Sequence, residues 1–266
     1  MNPSVRLLPS LRRCVYALSL LLPLLVGAAD LPPPASAPSS RPANVDPAAW
    51  QRMLDIDARA ATVEDLTAEF EQQKFTALLK KPLVSTGTVT VRGSAMLWDT
   101  RKPEPSMLQI DSREVRIYYP AQRTIEVYQV QQKLGQLAAS PVPRLAVLRE
   151  HFNFSPIPIA EMGEKDDTAG GKFFAVRMTP TDEALREHVE AVRVLLDAHR
   201  GLIVRLEMRD SDGDRTLISF SNVKTNVGLK DGDLRIAAPA DVKVTRPLAG
   251  LEGGGSAGGA AEEGAK

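Results

Sequence analysis

The apolar residues of this chain change their period once, and that change limits the fold more than any other feature. Over residues 46–75 they recur at helical spacing: Trp50, Met53, Val63, Leu66 and Phe70 share one stripe. From Leu83 the period drops to two. TVTV, AMLW, SMLQI, VRIYY and TIEVYQV are short alternating or apolar runs, parted by turn residues at Gly93, Arg101–Pro105, Asp111–Glu114 and Pro120–Arg123. Parallel strands need crossovers of a dozen residues or more, and these connections are far shorter. The chain therefore predicts an antiparallel meander behind an opening helix.

Asp46 is a good N-cap and Pro47 suits the first helical position, so the helix is expected from 46 to about Phe75, with Pro82 barring its continuation. After the first set of strands, Leu145, Leu148 and Phe152 predict a short amphipathic helix at 144–153. Strands resume at KFFAVRM, VRVLLD, LIVRLEM, TLISFSNV and DLRIAAP, with turns at Gly201, Asp210–Asp214 and Asp231–Asp233. TPTDE (179–183) reads as a loop with at most a turn or two of helix. LIVRLEM alternates cleanly, with Leu202, Val204, Leu206 and Met208 on one face and Arg205 and Glu207 on the other. The fold class expected is α+β: a large curved antiparallel sheet with helices covering its apolar face. Met96, Trp98, Leu108, Ile110, Val115, Ile117 and Tyr119 should face the helices. Arg116, Glu126, Arg205 and Glu207 should face water.

The two ends of the chain read differently from its middle. Residues 1–29 carry Arg6, Arg12 and Arg13 and no acid. An apolar run, Val15 to Val26, follows, and then Gly27, Ala28 and Ala29. The run is shorter than the roughly 20 residues of a spanning helix. The pattern predicts a secretory signal cleaved after Ala29, and thus a periplasmic protein. Residues 30–43 are Pro/Ala/Ser-rich and read as a disordered tether, and 249–266 as a Gly/Ala-rich disordered tail. The folded domain is then 44–248. Beyond residue 29 there remain 30 basic and 33 acidic residues, a net of −3. That is no footprint for nucleic acid.

Catalytic chemistry finds little to stand on. Cys14, the one cysteine, precedes the apolar run and leaves with the signal. His151, His188 and His199 show no metal-binding spacing and read as solvated surface residues. No Gly-x-Ser-x-Gly elbow is expected, because the one match, Gly254–Gly258, falls in the Gly/Ala-rich tail, and DSDGD lacks the ligand spacing of a calcium loop, so it reads as a hairpin turn. The expectation is a binding protein without catalytic residues, metal or cofactor.

The order of several short motifs resembles the outer-membrane lipoprotein carrier family. Phe70 and Gln72 match a Phe-x-Gln that closes the family's first helix. A Gly-x-hydrophobic strand follows. Leu97, Trp98, Arg101 and Pro103 match a Leu-Trp and Arg-Pro pair, with Lys102 inserted. Tyr119–Pro120 matches a strand end, and Phe220, Asn226, Leu229 and Pro239 fall in the family's order, over about residues 62–246. The resemblance implies an incomplete, unclosed β-barrel whose concave apolar face holds lipoprotein acyl chains under a helical lid. It implies an inner-membrane lipoprotein-releasing complex and an outer-membrane acceptor as partners, and a monomer. Met96, Trp98, Leu108, Ile110, Val115, Ile117, Tyr119 and Val127 would line the cavity, with plain core packing the alternative for each. Leu145, Leu148 and Phe152 would belong to the lid, and Arg101 would be the buried arginine that bonds it. A carrier or sensor of another lipid or glycolipid on the same half-barrel is the competing reading. A sensor of that kind adds a second domain, and the chain after Val244 is too short and Gly-rich for one.

Overall fold

The computed structural model describes residues 45–111, 114–129, 140–143, 148–149, 151–165 and 171–247. The predicted signal, tether and tail, with Leu145, lie outside these.

Helix α1 spans Pro47–Ala60. The Asp46 carboxylate accepts from the backbone N–H groups of Ala48 and Ala49 at 2.9 and 3.0 Å. Trp50, Met53, Ile56 and Ala60 form its buried stripe. The helix ends far short of Phe75. Gly201, at φ +68°, abuts its last turn so closely that a Cβ there would lie 2.5 Å from the Ala60 nitrogen. From Asp65 to Phe75 the chain is instead strand β1. Leu66 and Phe70 are four apart and fit a helical stripe, but Leu66, Ala68 and Phe70 also alternate with Thr67, Glu69 and Glu71. Pairing on both sides settles the choice, because β1 is hydrogen-bonded to a strand along each edge.

The remaining strands are β2 (Leu83–Arg92), β3 (Ala95–Lys102), β4 (Ser106–Ile110), β5 (Glu114–Tyr119), β6 (Thr124–Gln129), β7 (Phe152–Ile157), β8 (Phe173–Pro180), β9 (Val189–Asp197), β10 (Leu202–Asp210), β11 (Arg215–Thr225) and β12 (Lys243–Thr245). They form a single sheet in the order β12-β6-β5-β4-β3-β2-β1-β11-β10-β9-β8-β7. All pairs are antiparallel except β12 with β6. Two meanders thus meet where β1 pairs β11, and no pairing among the described residues joins β7 to β12. One buried cluster includes Met96 and Ile110 from one arm, Met178 and Val192 from the other, and Trp50, Met53 and Ile56 of α1. Residues so far apart in strand order share a core because the sheet curls around the helix. This is the unclosed half-barrel of the α+β class.

Asp65 ties the start of β1 to the chain leaving β11. Its carboxylate accepts from the N–H groups of Val227, Gly228 and Leu229 at 2.7, 3.0 and 2.9 Å. Asn226, at φ +55°, accepts from Glu64 N–H at 2.8 Å and donates to the Thr62 carbonyl at 3.1 Å.

Four further expectations are corrected. DLRIAAP, residues 233–239, is not a strand. A 3-10 turn at Asp231–Leu234 begins a strap over the outer face of the first arm. The Gln109 side chain there accepts from Ile236 N–H at 3.0 Å, and Arg123 pairs with Asp241 before β12 joins β6. Phe152 does not end a helix but begins β7; helix in the expected short element is described at 148–149 and 151. A bulge between Ile203 and Arg205 breaks the alternation of LIVRLEM. Leu202 and Ile203 both enter the main core, while Val204 packs outside it against Met162, Ala175 and Leu195. Glu207 does not face water: its side chain is 8% exposed, held by Arg193 and by Arg215 at 3.3 Å. Of the 179–183 segment expected as a loop, Thr179 and Pro180 end β8, and only Thr181 and Asp182 separate it from one turn of helix, α2 (Glu183–Arg186).

Candidate functional site

The candidate site is the concave face of the sheet. β3, β4 and β5 bring most of the expected wall together, because directly opposed residues share a face. Met96 opposes Ile110 and Trp98 opposes Leu108. Ile110 opposes Val115, and Leu108 opposes Ile117. All six, with Tyr119, are buried in the main core. Trp98 is its aromatic centre. Its ring lies 4.4 Å from that of Phe70 at 57° and 6.0 Å from that of Phe220 at 61°. Its indole N–H donates to the Met96 sulfur at 2.9 Å. Gly87 makes room for this stack. A Cβ there would fall 2.0 Å from the Asp99 carbonyl oxygen and 2.9 Å from the Phe70 ring.

Val127 is buried but stands on the other face. It opposes Arg116, which is exposed, and it is absent from the main cluster. On β6 the inner positions are Thr124, Glu126 and Tyr128, opposite Tyr119, Ile117 and Val115. Glu126, expected in water, is half-buried on the concave side and accepts from the Tyr128 hydroxyl at 2.8 Å. The apolar alternation of TIEVYQV is real, but here it marks the outer face, where the C-terminal strap lies.

The second arm supplies as much of the wall as the first. Phe174, Val176, Met178, Val192, Val194, Leu206, Met208 and Ile218 are buried in the same cluster. Their signal was the apolar and β-branched content of KFFAVRM, VRVLLD, LIVRLEM and TLISFSNV, which the candidate residues drawn from β3–β6 left aside.

Two features cover the concave face, α1 and the segment around Leu148 and Phe152. α1 is the larger. Arg52 on its flank donates to the carbonyls of Gly171 at 2.5 Å and Phe173 at 2.9 Å, and stacks over the Phe174 ring at 5.0 Å. Leu148 and Phe152 are buried in the core cluster beside it. His151 is not a solvated histidine. It is 9% exposed, and its Nδ1 lies 2.7 Å from an Asp182 carboxylate oxygen.

Arg101 stands elsewhere. The side chain is 65% exposed, and its Nε lies 3.4 Å from Asp99 Oδ2. Arg101 is the extra residue of a bulge in β3, between Thr100 and Lys102, and its ion pair with Asp99 draws it to the side away from Trp98.

A cleft of about 530 Å³ opens at the β2–β3 turn, between Arg92, Gln109, Asp111, Asp231 and Arg235. Its lining is half polar in character and includes one candidate wall residue, Ile110, so it is separate from the concave wall. Among the described residues no cluster of three or more His, Cys, Asp or Glu side chains could hold a metal ion. No helix among them is long and apolar enough to cross a membrane.

The chain is 26% identical over 180 residues to an outer-membrane lipoprotein carrier protein of Dechloromonas aromatica, covering 67% of this chain and 80% of that one. It is 25% identical over 198 residues to one from Pseudomonas putida, covering 74% and 85%. A crystal structure of an uncharacterised conserved protein from Thermus thermophilus aligns at a TM-score of 0.46 and 12% identity, over 74% of this chain and 98% of that chain. The family model of the outer membrane lipoprotein carrier protein LolA matches residues 61–236, from just before β1 to the strap. That match spans about two-thirds of the chain, and the chain belongs to the outer-membrane lipoprotein carrier family.

Proposed function

We propose that the protein is a periplasmic carrier that takes up the acyl chains of lipoproteins against its concave face and ferries them from the inner to the outer membrane. The observation that carries this reading is the single apolar cluster drawn from both arms of an unclosed sheet, with one 14-residue helix as its main cover. Family membership supports the cargo class, since the matched relatives are named as lipoprotein carriers. In this reading residues 1–29 direct export, and an inner-membrane releasing complex and an outer-membrane acceptor are the partners. The work needs no catalytic residue or cofactor.

The energetics suit a carrier that must also let go. In the described state the wall residues are packed, so cargo has to lift α1 and the segment around Leu148 and Phe152. Exposing Trp50, Met53 and Ile56 costs roughly 1.5–3 kcal/mol each. A chain of about a dozen methylenes returns roughly 0.8 kcal/mol per methylene. The two are of similar size, so loading is reversible and cargo passes downhill to an acceptor with a better-fitting cavity. The lid-bonding role that the resemblance implies for Arg101 is here assigned to Arg52. Arg52 already donates to carbonyls across the α1–β8 junction, whereas Arg101 pairs with Asp99.

The test is to incubate the purified protein with spheroplasts and with outer membranes, and to follow a labelled lipoprotein through both steps. Release into the soluble fraction followed by membrane delivery is expected. A protein that extracts free phospholipid or glycolipid, identified by mass spectrometry, but no lipoprotein would overturn the cargo assignment and favour the competing reading.

A further inference from the structure

The loop between β1 and β2 exposes two adjacent leucines, whereas Val227 and Val244, the large hydrophobics exposed elsewhere among the described residues, stand singly. β1 makes its last pairing with β11 at Phe75 opposite Arg215, and β2 makes its last with β3 at Thr86 opposite Lys102. Residues 76–82 therefore project beyond the adjacent strand ends. Leu78 is 94% exposed and Leu79 46%. The loop that presents them is ordered by its own bonds: Leu79 N–H donates to the Thr76 carbonyl at 3.2 Å, and Leu78 N–H to the Thr76 hydroxyl at 3.3 Å. Val84, on the strand leaving the tip, is 43% exposed.

A basic collar surrounds these side chains. Lys80 and Lys81 follow the leucines directly, and Lys102 ends the neighbouring strand. All three are exposed, and none forms an ion pair among the described residues. The acids nearby on this flank are Glu104 and Asp99, the latter paired with Arg101. On the opposite flank the β10–β11 turn carries Asp212 and Asp214, and Asp214 lies 3.7 Å from Lys74.

We propose that this hairpin tip docks on an anionic phospholipid bilayer. Leu78 and Leu79 insert at the boundary between headgroups and acyl chains, and Lys80, Lys81 and Lys102 sit at the phosphates. Apolar residues at a tip with cations just behind them match the layering of such a surface, apolar beneath and anionic above. A second copy of this chain fits less well, because it would set the same lysines against each other. The acidic β10–β11 turn fixes the orientation: the β2–β3 flank meets the membrane and the β10–β11 flank points away. The inference concerns a surface distinct from the concave wall and does not rest on the carrier reading.

The experiment uses protein beginning at Asp30, which keeps every described residue. It is sedimented with vesicles of phosphatidylcholine alone or of phosphatidylcholine with phosphatidylglycerol. Wild-type protein should partition onto the phosphatidylglycerol vesicles, less so at high salt. Leu78→Asp/Leu79→Asp and Lys80→Glu/Lys81→Glu should each weaken that partition about tenfold or more. A Leu78→Trp variant should shift its fluorescence to the blue on those vesicles. Binding of a fluorescent acyl probe should be the same in all variants, which separates loss of docking from failure of the concave wall. Equal partition of wild type and Leu78→Asp/Leu79→Asp overturns the proposal. So does a Leu78→Trp blue shift that appears with protein concentration alone, since the tip would then be an interface between copies.

Discussion

Arg52 on α1 and Phe174 on β8 are held face to ring, with the guanidinium carbon 5.0 Å from the ring centroid. The same guanidinium donates to the carbonyls of Gly171 and Phe173. One side chain thus joins the helix that covers the concave face to the first residues of a strand that lines it. Charge-assisted bonds of this kind contribute roughly 1.5–3 kcal/mol. Arg52→Met keeps the apolar stem and removes the donors. It should lower global stability by about 1–3 kcal/mol in urea unfolding, and speed amide exchange in α1 more than in β1. Uptake of a fluorescent acyl probe should become faster, because the lid starts closer to open. Unchanged exchange across α1 would show that the junction is held by packing alone.

Arg101 provides the contrast. An arginine 65% exposed and paired with one carboxylate on its own strand contributes little to a lid on the other face. Arg101→Leu should leave both lipoprotein uptake and hand-over within about twofold of wild type, an effect well under the tenfold that 1.4 kcal/mol represents. Failure of hand-over with uptake intact would restore to Arg101 the role that the family resemblance implies.

The β10–β11 turn should make stability depend on pH. Burial pushes the Asp210 carboxyl up to about 6 from 3.8; Lys74 pulls it down, and Asp212 and Asp214 push it further up. A group with a raised folded-state value binds its proton more tightly in the native chain than in the unfolded one. Its stabilising contribution is complete below about pH 4 and is lost as pH rises through about 6. Charged Asp210 therefore strains the native state at neutral pH, with its Oδ1 buried and unbonded among the described residues. Asp210→Asn should raise stability at pH 7–8 by about 1–3 kcal/mol and have almost no effect at pH 4. Thermal melts of both proteins across that range check it; parallel curves would refute the assignment.

The walls on β3, β4 and β5 were legible because the other face of those strands is wetter than the concave one. Met96, Trp98, Leu108, Ile110, Val115 and Ile117 are all inside, and they alternate with the less buried Leu97, Asp99, Met107, Gln109 and Arg116. The readings failed where another element covered the second face or supplied a second pairing partner. Val127 looked like a wall residue because TIEVYQV alternates, but the strap that begins at Asp231 and precedes β12 lies on that outer side, and it cannot be inferred from β6 itself. β1 looked helical because Leu66 and Phe70 are four apart among good helix formers. Its two neighbours in the sheet, β2 and β11, lie on either side in space but far apart in sequence. Arg101 was read through resemblance, which gave the residue but not the direction of its side chain.

The junction of Asp65 with the turn at 226–229 allows the most direct test of the fold. Two family-matching positions, Asn226 and Leu229, sit there, and neither touches the concave wall. Asp65 accepts from three consecutive backbone N–H groups and Asn226 bridges Glu64 and Thr62, so the start of β1 and the end of β11 are fixed by one polar network. Asp65 is 6% exposed, and truncating it leaves three donors without their acceptor. Asp65→Ala should cost about 3–5 kcal/mol, and Asp65→Asn less, since its carbonyl oxygen still accepts. Asn226→Ala should cost about 1–3 kcal/mol, through lost bonds and through the positive φ that asparagine tolerates better than alanine. Because both changes open the same junction, the double variant should lose less than the sum of the two. Urea unfolding of the four proteins in a double-mutant cycle measures that coupling. Strict additivity would mean that the two residues act on separate parts of the sheet.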